Sequence, residues 1–254
     1  MRPILLLLLA LTGCLFAQNP EDALHAPDGN ARDFIQSIFI TALPNAPFQA
    51  VLRADIIKHL PDGSTTTMWN QRLIVRDSRG RIYQERRMFV AEGRDQQPAV
   101  SRIEISDPAA HTKYFCDPGM KSCNLRNYTA PPLEPPIPVG PIGNGNRYLS
   151  RASLGTKLIE GVEVTGTRET VTIGQDTAGN TAPIDFTKEI WYSPSLGLNL
   201  EVTRLDPLHG DQFFKVTSLR LDEPDARVFM IPAGCTVTDL RESGQHAGAV
   251  VVGH

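Results

Sequence analysis

The residues best arranged for acid–base chemistry are His209 and the two aspartates near it, Asp206 and Asp211. A carboxylate can orient an imidazole and stabilise its charged form, as general acid–base catalysis requires. The same stretch contains Pro207 and Gly210, however, and aspartate, proline and glycine together are typical of a hairpin turn. The standard motifs of serine hydrolases, zinc proteases, phosphate-binding loops and dinucleotide-binding folds are absent from the sequence. We therefore predict a protein that is not an enzyme.

Potential metal ligands are sparse along the chain. Asp176, Asn180 and Asp185 surround a glycine-rich loop and can offer oxygen atoms to calcium, but their spacing matches no standard calcium-binding loop. No Cys-x-x-Cys pair occurs. We predict no metal site and no cofactor.

An excess of arginine marks residues 72–102, which contain eight arginines against four acidic residues. The guanidinium group suits bidentate contacts with phosphate or carboxylate groups. One interpretation is therefore contact with an anionic component of the cell envelope. The alternative is that these arginines occupy the solvated outer faces of strands.

Four large apolar residues are candidates for the lining of a hydrophobic pocket, namely Trp69, Leu73, Phe89 and Trp191. A pocket of this kind holds an apolar or amphiphilic ligand. Large apolar side chains also form the ordinary core of a domain, and this alternative remains open.

The N-terminus predicts export. Arg2 supplies a positive charge, and Ile4–Leu11 is an uninterrupted apolar run that is too short to span about 30 Å of hydrocarbon. The following Leu11-Thr12-Gly13-Cys14 resembles a bacterial lipobox, which implies that the Cys14 thiol carries a diacylglycerol anchor. The alternative is cleavage after Ala17 without lipid. We expect residues 1–17 to be the export signal and residues 18–30 to be a tether.

Outside the cytoplasm, Cys116 and Cys123 are expected to form a disulfide. Only six residues separate them, and Asp117, Pro118 and Gly119 among these favour a turn. The turn places two short strands side by side, with the cysteines close to the Cα separation of about 5.5 Å that a disulfide needs. Metal binding with His111 is the weaker alternative.

Charge and hydropathy restrict the possible partners. The net charge of the 254 residues is −3, and loss of Arg2 with the signal makes it −4. This balance does not indicate a nucleic-acid-binding protein. After the signal, no segment approaches 18 consecutive apolar residues, so no transmembrane helix is predicted.

The positioning elements are predicted to form one domain over residues 31–240. Apolar spacing in 31–43 suggests a short helix, although Ile38–Thr41 also fits a strand. From residue 47 onward, β-rich runs alternate with turn signals such as Pro61-Asp62-Gly63. Residues 130–146 contain six prolines and predict a crossover loop, either a flap over a cavity or a surface connection. Residues 241–254 are expected to be a loose tail.

The C-terminal strands carry a family resemblance. Glu189–Ser193, the alternating Leu198, Leu200 and Val202, and the segment 224–234 are similar to the final meander of the periplasmic lipoprotein carriers and related half-barrel proteins. The resemblance covers most of residues 47–237. It implies a curled antiparallel sheet whose concave face can hold an acyl chain. The chain departs from the carriers in its proline-rich loop, its cysteine pair and its own possible anchor.

Together these features predict a mainly β protein, an antiparallel half-barrel with a short N-terminal helix and a proline-rich crossover loop. We expect a non-enzymatic cell-envelope lipoprotein of the periplasm or outer membrane that binds a lipid-like or amphiphilic ligand on the concave face. The alternative is an extracytoplasmic sensor or regulatory module that recognises a protein partner. An enclosed apolar cavity favours the first function, and a large exposed apolar patch favours the second.

Overall fold

The computed structural model of the protein describes residues 38–130 and 136–241. These residues form fourteen strands and one 3-10 helix, Ala226–Phe229. The strands are β1 Phe48–His59, β2 Thr65–Arg76, β3 Ile82–Arg87, β4 Val90–Ala91, β5 Val100–Asp107, β6 Thr112–Asp117, β7 Ser122–Asn127, β8 Gly140–Ile142, β9 Arg147–Ile159, β10 Val162–Ile173, β11 Ile184–Ser193, β12 Leu198–Leu205, β13 Asp211–Arg220 and β14 Thr236–Asp239.

All fourteen strands belong to one sheet. Its order is β14-β7-β6-β5-β3-β2-β1-β13-β12-β11-β10-β9-β8, and β4 pairs with β2 beside this path. β1 is the junction, because it pairs antiparallel with β2 on one side and with β13 on the other. β14 pairs parallel with β7. The prediction of a mainly β, antiparallel half-barrel is confirmed.

The main core lies on the face of β1 that carries Phe48, Ala50, Leu52 and Ala54, which are at most 4% exposed. This face also packs against apolar residues of β10 to β13. A smaller core forms on the opposite face around Val75, Ile105 and Phe229, so the 3-10 helix covers part of the second face. Alternation along β2 separates the two clusters, because Ile74 belongs to the main core and its neighbour Val75 belongs to the smaller one.

The predicted N-terminal helix does not extend over residues 38–43, which are neither helical nor in a strand; residues 31–37 lie outside the described part of the chain. Ile38 and Ile40 are both buried in the main core. The carbonyl oxygen of Thr41 accepts a hydrogen bond from Arg76 instead of from a helical N–H. Tertiary contacts therefore override the helical spacing.

The proline-rich stretch is shorter as a loop than predicted. Gly140–Ile142 forms the edge strand β8 and pairs with Arg147–Leu149. Pro141 is tolerated because an edge strand needs hydrogen bonds on one side only. The neighbouring β9 begins at Arg147, directly after the predicted loop. Three prolines of the stretch, Pro131, Pro132 and Pro135, lie outside the described residues.

The predicted signal, tether and tail also lie outside the described residues, except for Arg241. Within the part that is described, no helix has the length and apolarity to cross a membrane.

Candidate ligand-binding site

The four predicted lining residues divide between the two faces of the sheet. Trp69 and Leu73 lie on the same face of β2, and Leu73 packs against the smaller core. Phe89 and Trp191 pack against the main core. The structure therefore does not bring all four residues together around one pocket.

Both tryptophans are engaged by cationic side chains. The guanidinium of Arg53 lies 4.8 Å from the ring centroid of Trp69, and the Nζ atom of Lys157 lies 3.9 Å from that of Trp191. Trp191 also packs closely on Gly166, where an added Cβ would be 2.5 Å from its Cζ3 atom. Neither indole lines either of the two cavities described next.

The first cavity lies where β1, β2 and β13 meet and has a volume of about 30 Å³. We call it the Arg72 cavity; it is lined by Ala54, Asn70, Arg72, Arg86, Arg87, Phe89 and Phe214. Its lining combines three arginines with two aromatic rings. Of the predicted pocket residues, it contains Phe89.

A second cavity of about 180 Å³ contains the predicted residue Leu73. It is lined by Val51, Gln71, Arg72, Leu73, Glu85, Arg87, Gln97 and Pro98. Arg87 and Glu85 neutralise each other, because Nε of Arg87 lies 2.7 Å from Oε2 of Glu85, and Arg72 is the third charged residue of the lining. Leu73, Val51 and Pro98 supply its apolar surface.

The most unusual group at the site is Arg72, which is 6% exposed. Its Nη1 donates to Oε1 of Gln84 at 3.1 Å, and longer contacts of 3.5 Å reach the carbonyl oxygens of Glu85 and Ile38. Among the described residues, no carboxylate forms an ion pair with it. Burial lowers the pKa of Arg72 to about 9, so the group is charged at neutral pH.

A buried charge without a counterion is costly, and the cost falls when an anion binds beside it. The cations next to Arg72 are already paired. Nε of Arg86 lies 3.1 Å from Oε1 of Glu104, and Nζ of Lys113 lies 3.3 Å from Oε2 of the same carboxylate. Burial raises the pKa of the Glu104 carboxyl, but Arg86 and Lys113 lower it more strongly, so the net shift is downward. Glu104 therefore remains an anion. It forms ion pairs with Arg86 and Lys113, and its charge raises the pKa of Arg72 from beyond ion-pair distance.

The sequence indicated this region only as an excess of arginine. It did not indicate Arg72 in particular, and it gave no signal for Asn70 or Phe214. That these three residues lie close together follows only from the strand order, in which β2 and β13 pair with opposite sides of β1.

The other sequence candidates take structural positions. Cys116 and Cys123 are directly opposite in the β6–β7 hairpin and form a disulfide, with a Cα separation of 4.0 Å. Cys235 is a free, half-buried cysteine.

Oδ1 of Asp206 accepts the backbone N–H of His209, as expected of a turn. No group of three His, Cys, Asp or Glu side chains within the described residues is arranged to hold a metal ion. Cys14 lies outside these residues.

No family model matches this chain, and no curated protein matches it. Solved structures do match. The complex of MucA and MucB from Pseudomonas aeruginosa is 14% identical, with a TM-score of 0.37, over 76% of this chain and 58% of that chain. The chain thus spans less than two thirds of the length of the MucB structures.

Two further matches come from other bacteria. A LolA-superfamily protein from Nitrosomonas europaea is 11% identical, with a TM-score of 0.29, over 74% of this chain and 91% of that chain. A putative outer membrane lipoprotein-sorting protein domain from Vibrio parahaemolyticus is 11% identical, with a TM-score of 0.24, over 72% and 89% of the two chains. Carrier-like proteins, which the C-terminal strands resemble, are thus among the matches. At TM-scores below 0.5, these similarities assign no function to this chain.

Proposed function

We propose that the protein is a non-enzymatic binding protein of the cell envelope whose ligand is an amphiphile with a carboxylate or phosphate group. The observation that carries this proposal is the buried Arg72 guanidinium, which lines a cavity and has no ion-pair partner among the described residues. The anionic group of the ligand would supply the missing counterion. Phe89 and Phe214 would provide apolar contacts beside it.

The size of the Arg72 cavity restricts how the ligand can bind. One water needs about 10–15 Å³ of such volume, so the 30 Å³ cavity accommodates a group about the size of a carboxylate. It does not enclose an acyl chain, for which ligand pockets of about 300 Å³ or more are typical. The apolar part of the ligand would therefore lie outside the cavity.

The test compares two ligands of equal chain length, hexanoate and hexanol, by isothermal titration calorimetry. A charge-assisted hydrogen bond contributes about 1.5–3 kcal/mol, so hexanoate should bind roughly tenfold or more tightly than hexanol. The variant Arg72→Met should abolish this preference. Removal of the buried charge offsets part of the cost of losing the hydrogen bond to Gln84, and circular dichroism establishes that the variant is folded.

The matched control is Arg94→Met, since Arg94 is exposed in the loop that follows β4. It removes the same charge and should retain the preference for hexanoate. Equal affinities of the unaltered protein for hexanoate and hexanol would contradict the proposal.

The second candidate function, recognition of a protein partner, is favoured by exposed apolar residues at the β8–β9 end of the sheet. Ile137 is 60% exposed, Tyr148 is 55% exposed and Leu158 is 70% exposed. In that case Tyr148→Glu would reduce capture of the partner from the native envelope, whereas Arg72→Met would have no effect.

A further inference from the structure

One face of the strands β3, β5, β6 and β7 carries a group of cations, which we call the cationic face. The register places Arg86 opposite Arg102, Glu104 opposite Phe115, and Lys113 opposite Arg126. Directly paired residues in a sheet point to the same side, so these side chains share one surface. The opposite side of the same strands is apolar and packs against the 3-10 helix.

Two cations of this face are uncompensated. Glu104 is shared by Arg86 and Lys113, whereas Arg102 and Arg126 are exposed and form no ion pair with any described residue. Asp117, at the end of β6, accepts the backbone N–H of Met120. The face therefore has an excess of positive charge.

An aromatic ring lies at the centre of these charges. The Nζ atom of Lys113 lies 4.6 Å from the ring centroid of Phe115, and the guanidinium carbon of Arg102 lies 6.0 Å from it. The ring is half-buried, so part of it contacts solvent. The surface of a bilayer has phosphate groups above apolar chains. Cations around an aromatic ring can contact the phosphates while the ring contacts the apolar part.

The segment of the chain that contains these strands also has a net positive charge, whereas the rest of the chain has a net negative charge. Residues 72–126 contain eleven Lys and Arg residues against seven Asp and Glu residues, whereas the remaining sequence contains fourteen against twenty-one. An anionic surface attracts the first part and repels the second. The charge distribution therefore selects one orientation, with β3, β5, β6 and β7 toward the anionic surface.

We propose that the cationic face docks on the surface of a bilayer containing anionic phospholipids. The proposal goes beyond the binding of a ligand at Arg72. Arg86 belongs to both sites, but the two uncompensated cations that carry the proposal, Arg102 and Arg126, do not line the Arg72 cavity. The contact is weak in isolation and sets the orientation of the protein at the membrane, since each basic residue contributes only modestly.

The experiment is vesicle flotation with the full chain carrying Cys14→Ser, which removes any acyl anchor. Vesicles contain either phosphatidylcholine alone or equal parts of phosphatidylcholine and phosphatidylglycerol. At low ionic strength, we expect the bound fraction to be several times larger with phosphatidylglycerol. Screening at about 0.5 M salt, where the Debye length falls to roughly 4 Å, should abolish the difference.

Charge reversal identifies the surface. The double variant Arg102→Glu and Arg126→Glu should reduce binding to phosphatidylglycerol vesicles about tenfold or more, since it replaces two attractive charges by two repulsive ones. The matched control, Arg94→Glu and Arg147→Glu, changes the net charge equally at exposed positions outside β3, β5, β6 and β7. It should retain at least half of the binding.

Three outcomes would overturn the proposal: equal binding to both vesicle types, equal losses in the two double variants, or competition by millimolar glycerol phosphate, which would indicate a headgroup pocket. Circular dichroism of both variants establishes that they are folded. Arg72→Met should leave flotation unchanged, so failure of the ligand proposal is distinguishable from failure of this one.

Discussion

Arg76 connects three distant segments through one buried guanidinium. It is fully buried, and it donates to the carbonyl oxygens of Thr41 at 2.8 Å, Ala46 at 2.9 Å and Leu196 at 2.7 Å. Burial lowers the pKa of Arg76 to about 10, which leaves it charged at neutral pH. The planar guanidinium donates hydrogen bonds to three carbonyl groups that are not hydrogen-bonded within a strand pairing.

We expect Arg76→Lys to lower the free energy of unfolding by about 2–4 kcal/mol, because the single nitrogen of an ammonium cannot reach all three carbonyl groups and leaves buried acceptors unpaired. Urea denaturation followed by circular dichroism measures this change. Arg79→Lys is the control, since the Arg79 side chain is 67% exposed, and it should alter stability by less than about 0.5 kcal/mol. Equal stability of Arg76→Lys and the unaltered protein would show that these hydrogen bonds are dispensable.

The sequence indicated that arginines matter in this region, but it did not separate their roles. Arg72 and Arg76 flank Leu73, Ile74 and Val75, so three successive apolar residues hide which face of β2 is the main core. The structure buries both arginines on the side of Ile74. Side chains on a strand that is buried on both faces cannot be assigned by alternation alone.

At the scale of elements, the packing of β9, β10 and β11 depends on a glycine. The β9–β10 register shifts between Gly166 and Thr167, and Gly166 lies directly opposite Trp191 of β11. The absence of a side chain allows the indole to lie across the backbone. A Cβ at this position would also be 2.8 Å from the Cβ of Leu154.

The substitution Gly166→Ala should therefore destabilise the protein by about 1–3 kcal/mol, since overpacking forces side chains and backbone to shift. Thermal or urea denaturation gives the change in stability, and tryptophan fluorescence reports the displacement of Trp191. At Gly174 an added Cβ would be 3.4 Å from Oγ1 of Thr177, an ordinary contact, so Gly174→Ala is the matched control. A Gly166→Ala protein as stable as this control would mean that Trp191 does not lie where the structure places it.

Hairpins were the most predictable elements, because their turns have a local chemistry. Asp117-Pro118-Gly119 predicted the β6–β7 hairpin, and Pro61-Asp62-Gly63 predicted the turn between β1 and β2. β9 is harder to recognise in the sequence, because Ser150, Ala152, Ser153 and Gly155 give its pattern little apolar contrast. The short N-terminal helix was predicted from the spacing of apolar residues. Two of these residues, Ile38 and Ile40, are instead buried in the main core by a segment that is not helical.

At the scale of the whole molecule, the decisive pairings join residues far apart in sequence. β1 pairs with β13, and β14 returns to pair with β7. No local pattern specifies such contacts, so the sequence predicted a meander but not its order. The Arg72 cavity depends on the β1–β13 pairing, because Ala54 and Phe214 are direct partners in this pairing and both line the cavity. The candidate site was therefore unpredictable for the same reason as the strand order.

The charge distribution, by contrast, is a property of the sequence, and it bears on the predicted anchor. If residues 18–30 form the predicted tether, an acyl anchor on Cys14 would hold the protein at a membrane without fixing its orientation. The cationic face would supply the orientation. A weak surface contact becomes effective once an anchor raises the local concentration of the membrane surface.

We expect the protein purified from its bacterial envelope to begin at Cys14 and to carry covalently bound acyl chains, as the Leu11-Thr12-Gly13-Cys14 motif predicts. Two chains hold a protein at a membrane far more firmly than one, because each buried methylene contributes about 0.8 kcal/mol. Intact mass spectrometry measures the mature terminus and the added mass. Cys14→Ser, which lacks the acceptor thiol, should release the protein into the soluble fraction at high salt, where the cationic face is screened. A mature protein that starts at Gln18 and has no lipid would contradict the anchor and leave the cationic face as the proposed membrane contact.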